Sequence, residues 1–159
     1  MIICPAAASA QTRRRSSPSK PPAPSLSVTV VRNQAAARVG DQIKHLTRFI
    51  YLLGGAAKGL ESVDEAVRRN EASPAVLQQA QQNKTTVRTS ISNVKEGLNK
   101  LELDFRVSPE LQPYYAKLAG TAAAAATAEQ QAINNQFDAA GRSLLNVVNR
   151  LTDVLLEMR

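Results

Sequence analysis

The sequence predicts an all-α protein: an up-down antiparallel bundle of four helices, preceded by a disordered N-terminal arm. Three observations carry this reading. Ala80, Val87, Ile91, Val94, Leu98, Leu101 and Phe105, with Lys84 filling the one gap, trace a heptad seam that a single helix cannot satisfy alone. Ser-Pro pairs at Ser73-Pro74 and Ser108-Pro109 have the form of an N-cap followed by proline in the first helical turn. Five of the eight prolines, and no acidic residue, fall in residues 1–40.

The arm comes first. Residues 1–40 are rich in Ser and Ala, carry Arg13, Arg14, Arg15, Lys20, Arg32 and Arg38, and offer no evident apolar pattern to offset the entropy of ordering. A Ser-rich, Arg-containing, acid-free arm is expected of an organelle transit peptide, with residues 25–33 suiting a processing site. Its prolines disfavour the amphipathic helix of a mitochondrial presequence, so a plastid is the expected destination, with mitochondrion or cytoplasm as alternatives. The net charge of +7 belongs mostly to this arm: residues 41–159 carry 14 basic and 13 acidic side chains, which argues against specific nucleic-acid binding. Cys4 is the single cysteine and excludes an internal disulfide. No run of apolar residues is long enough for a transmembrane span, although peripheral membrane association stays open.

The bundle is expected over residues 41–159. A first helix is predicted from Asp41 to about Asn70, with a stripe of Ile43, Leu46, Ile50, Leu53, Ala57, Leu60, Val63 and Val67. Gly54, Gly55 and Gly59 interrupt it, and close packing of a neighbouring helix is the expected reason. The second helix follows Pro74 and runs to about Arg106. After Pro109, the 110–158 stretch as one helix would reach roughly 73 Å, against about 45 Å for the first two, leaving Leu144, Val147, Leu151, Val154 and Met158 bare. A reversal is therefore expected between residues 120 and 136, where Thr127 to Gln130 has capping-box form and Asn134-Asn135 tolerates a turn. The alternative is three helices, the last one long.

Chemistry is sparse. His45 is the lone histidine, which excludes a paired-histidine metal site and a Ser-His nucleophile, and it reads as a boundary side chain. Glu61, Asp64 and Glu65 stand one turn before Arg68 and Arg69 and read as a salt-linked surface. Residues 53–59 lack the order of a phosphate-binding loop. No catalytic residue, metal or cofactor is expected. Lys84 is a candidate polar core position able to specify register, the favoured alternative being a stem that snorkels to solvent. Phe105, Arg106, Tyr114 and Tyr115 concentrate half of the aromatics at one corner and form a candidate protein-docking patch.

The expected function follows from the arm, the seams and the thin chemistry. It is a non-catalytic interaction protein, an accessory subunit or assembly factor of a photosynthetic or other organellar complex. In architecture it resembles small four-helix bundles attached to photosynthetic membranes, such as the extrinsic Q subunit of photosystem II, without that family's motifs. The alternative is a coiled-coil trafficking or cytoskeletal adaptor with a basic tail.

Overall fold

The computed structural model describes residues 26–159. Five helical segments follow one another: α1 (Leu26–Arg68), α2 (Pro74–Val107), α3 (Gln112–Leu118), α4 (Thr121–Ile133) and α5 (Phe137–Glu157). α1, α2, α4 and α5 close a ring in which each packs on the next, and α3 bridges α2 and α5 at one end. The bundle is all-α and antiparallel, as the short connections between its helices require. No helix among the described residues is long and apolar enough to cross a membrane.

α2 is the core of the arrangement. Ser73 caps it by accepting the Val76 amide at 3.4 Å, with Pro74 at the first helical position. Ala80, Val87, Ile91, Leu98, Leu101 and Phe105 are all buried, and Val94 is half-buried. α5 presents the matching stripe of Phe137, Ala140, Leu144, Val147, Leu151 and Val154. The alanines of α4 (Ala122, Ala125, Ala128, Ala132) fill the remaining side with small residues, allowing α2 and α5 to approach it closely.

The reversal lies where the asparagines allow it. α4 ends at Ile133, and Asn135 takes φ 60, the left-handed conformation that asparagine tolerates better than most residues. Asn70 does the same after α1, also at φ 60. A second interruption at Ala119-Gly120, with Gly120 at φ 89, separates α3 from α4. The single long C-terminal helix is thereby excluded. Thr127 to Gln130 lies inside α4 and caps nothing; the Thr127 hydroxyl donates instead to the Ala123 carbonyl. Ser108-Pro109 is likewise no helix start: Ser108 closes α2, and its carbonyl accepts the Leu111 and Gln112 amides.

The first helix begins fifteen residues earlier than the composition suggests, at Leu26 in place of Asp41. Ala35 and Val39 are 4% and 0% exposed and continue the inner seam of Leu46 and Leu53. The register explains why. Leu53 Cδ2 would lie 3.7 Å from a Cβ on Gly141, and from that antiparallel contact the last turns of α5, with Val154 and Met158, fall level with residues 36–40. Residues 35–40 therefore belong to the bundle, with Val31 half-buried against it one turn earlier, and the disorder expected of the arm concerns residues 1–25, outside the described part.

The glycines of α1 do not serve close packing within the chain. A Cβ on Gly54, Gly55 or Gly59 would meet nothing within 4 Å, and the helix runs through them unbroken.

Candidate docking surfaces

The predicted corner divides on inspection. Phe105 is fully buried and is a core residue, unavailable for docking because its seam position turns it inward. Tyr114 and Tyr115 are half-buried and pack against the core, closing that end of the bundle, while Arg106 is exposed. Beside Arg106 stand Leu103 and Val107, 56% and 66% exposed, one turn apart and off the seam. That phase offset was the available signal for them.

Lys84 sits between its two readings. Its side chain is 16% exposed, so the stem is covered, and its ammonium reaches Asp64 Oδ1 at 3.4 Å across the α1–α2 contact. Glu65 meets Arg68 at 3.7 Å and Arg69 at 3.9 Å, a salt-linked surface as expected from the spacing.

The most informative surface is one the sequence left unmarked. Arg88 of α2 reaches the α4–α5 turn, donating from Nε to the Ala132 carbonyl at 3.2 Å and from Nη2 to the Ile133 carbonyl at 3.0 Å and Asn135 Oδ1 at 3.2 Å. α2 upstream of Arg88 thus has no α4 beside it. On the other side Ala57 shares a groove with Phe137, the first residue of α5. The tip of the α1–α2 hairpin therefore projects beyond the bundle by about 20 Å, the length of the α2 residues that precede Arg88. Leu60 and Ala80 are buried within the projection, but Val67, Val76 and Leu77 are 45%, 42% and 44% exposed. Residues 72–83 hold no charged side chain. An uncharged helix with exposed apolar side chains has the composition of an interface centre.

Three clefts surround α1. A polar one of about 490 Å³ is lined by Arg38, Asp41, Gln42, His45, Lys100 and Asp104, with Arg38 Nη1 2.8 Å from Asp104 Oδ2. Its three bases and two acids are open to solvent, and His45 is exposed. A groove of about 230 Å³ between α1 and α2 contains Phe49, Leu52, Ala56 and Val87, and one of about 280 Å³ between α1 and α5 contains Ile50, Gly54, Phe137 and Leu145. Both are shallow apolar channels continuous with exposed Leu52 and Leu145. Among the described residues, no group of three or more His, Cys, Asp or Glu could hold a metal ion.

The polar contacts that fix these surfaces run along one edge of α2. Arg88, Lys95 and Glu102 stand one heptad apart and engage α4 from its C-terminus to its N-terminus. Lys95 Nζ lies 2.6 Å from Glu129 Oε2, and this hydrogen bond, then one from Ser92, holds the Glu129 carboxyl below the usual carboxylate range. No family model, curated protein or solved structure matches the chain.

Proposed function

We propose that this chain is a non-catalytic interaction protein, an accessory subunit or assembly factor of a larger complex, delivered to a plastid by its N-terminal arm and active there in a photosynthetic or other organellar assembly. The observation that carries the interaction role is the projecting α1–α2 hairpin, with Val67, Val76 and Leu77 open to solvent on an uncharged helix. Burying Val or Leu side chains stabilises by about 1.5–3 kcal/mol each, so a seam that runs on past its own bundle favours a partner. The plastid destination rests on the basic, acid-free, Ser-rich residues 1–25. Processing ahead of Leu26 would leave α1 whole.

A C-terminally tagged full-length chain, recovered natively from cells and read by mass spectrometry, tests both parts. A defined organellar complex, lost on Leu77→Lys at unchanged helix content, supports the reading. A chain that runs only as a free monomer counts against it. A native chain that keeps residues 1–25 in the cytosol replaces the plastid reading with the adaptor one.

A further inference from the structure

We infer that the outer face of α1 is a membrane-contact surface, by which the bundle rests on a bilayer that carries anionic lipids. The stripe opposite the buried seam of α1 runs Lys44, Arg48, Tyr51, Gly55 and Lys58, spaced 4, 3, 4 and 3, and every member is exposed. From Gln42 to Leu60 the chain holds no Asp or Glu. The face is therefore cationic over about 21 Å of helix.

Its centre is apolar. Tyr51 and Leu52 are 82% and 63% exposed, and Leu145 of α5, 49% exposed, stands at their level because it lines a groove with Ile50, Leu53 and Gly54. Arg142 carries the ring of cations onto α5 along the same groove. The acids that border this patch stand at its ends, Asp41 at one and Glu61 and Asp138 at the other. Exposed Tyr and Leu ringed by Lys and Arg suit the headgroup layer, where the apolar side chains reach the acyl boundary and the cations meet phosphates.

The cations are free to do so. Among the described residues Arg48, Lys58 and Arg142 join no ion pair, and Lys44 meets Asp41 at 3.2 Å only as an exposed neighbour, a contact that contributes little. A nucleic-acid backbone would use these charges and leave Leu52 and Leu145 in water. A protein partner would have to desolvate Arg48 and Lys58 beside Tyr51, and interface centres are depleted of charge. At a bilayer their stems lie along the apolar layer while their heads stay among the phosphates. The patch is separate from the hairpin tip and does not depend on what binds there.

The chain has no tryptophan, so Tyr51→Trp places one reporter in the patch, and Gln130→Trp, exposed on α4 across the ring, places a control. Full-length variants, checked by circular dichroism, are mixed with vesicles of equal parts phosphatidylcholine and phosphatidylglycerol, with vesicles of phosphatidylcholine alone, and with heparin. The Tyr51→Trp emission should move to the blue and resist acrylamide quenching on the anionic vesicles alone, while Gln130→Trp stays unchanged. In co-sedimentation, Arg48→Gln and Lys58→Gln should each lower vesicle affinity about fivefold, and Leu52→Ser about tenfold. Residues 1–25 bring cations of their own, so neutralising Arg13, Arg14 and Arg15 together is the comparison. Binding that this triple change abolishes and the three patch variants leave intact would overturn the inference. So would a reporter that shifts alike at both positions, or with heparin as with vesicles, or not at all.

Discussion

Glu102 of α2 caps a helix to which it does not belong. Its Oε1 accepts the Ala122 amide at 2.8 Å and the Thr121 hydroxyl at 2.9 Å, at the start of α4. α4 has no cap of its own, because Gly120 occupies the N-cap position and offers no side chain. The carboxylate supplies the missing acceptor and places negative charge at the positive end of the helix. Two heptads away, Arg88 serves the other end of α4 through the Ala132 and Ile133 carbonyls. α2 thus grips an alanine-rich helix at both termini with the charge that each terminus favours.

Glu102→Ala should destabilise the bundle by about 1–2 kcal/mol, the range for a lost cap that also leaves Thr121, fully buried, without its acceptor. Urea unfolding measures it. Glu102→Gln should recover part of the loss, because its amide oxygen still accepts while the charge is gone. Equal effects of the two would show that the capping geometry contributes nothing.

Arg88→Met keeps the apolar stem and removes three hydrogen bonds, so a loss of about 1–3 kcal/mol is expected. Arg88→Lys should behave almost as badly, since one ammonium cannot serve acceptors spread over the Ala132 to Asn135 turn in the way the planar guanidinium does. Hydrogen exchange should quicken at the C-terminal turn of α4 before it quickens in α5. Uniform acceleration would argue against a local clamp.

The Glu129 carboxyl is held low by the Lys95 hydrogen bond, then by Ser92. A group whose folded-state pKa is depressed contributes stability that is fully present above its unfolded value and lost as pH falls through the folded one. Native protein should therefore exceed Glu129→Gln in unfolding stability at neutral pH, and the gap should close under acid conditions below the ordinary carboxylate range. A gap that persists in acid would point to packing in place of the ion pair.

Val39 is fully buried in the stretch that composition assigns to the arm. Val39→Ala should cost about 2 kcal/mol through lost burial and a residual cavity, as read by thermal or urea unfolding. A chain beginning at Asp41 should bind a hydrophobic dye strongly, because α5 then loses the cover over Val154 and Met158. Native-like stability of that shortened chain would contradict the packing described.

Gly54→Ala and Gly55→Ala should each stabilise the isolated bundle by about 0.5–1 kcal/mol, since both glycines are interior to a continuous helix with open space above them. Melting at low protein concentration checks this. A lower melting temperature would mean that those positions meet something in the monomer.

Sequence alone determined that the chain is helical and which faces of α2 and α5 turn inward. The spacing of Ala80 to Phe105 and of Phe137 to Val154 survives unchanged into the core, because an apolar stripe of helical period has only one side to bury. The turn at Asn134-Asn135 and the cap at Ser73-Pro74 were readable for the same local reason: those side chains favour the backbone conformations found there. Tertiary structure decided the rest. Whether residues 36–40 join the bundle depended on how far α5 runs alongside them, a register set by Leu53 against Gly141. Whether Val67 is core or surface depended on α5 starting level with Ala57, so that the same seam position is covered in one turn and bare a few turns later. Glu102 has a capping role only because Gly120 leaves α4 uncapped beside it. Period and propensity are properties of a segment, whereas exposure and partnership belong to the neighbours that the fold brings to it.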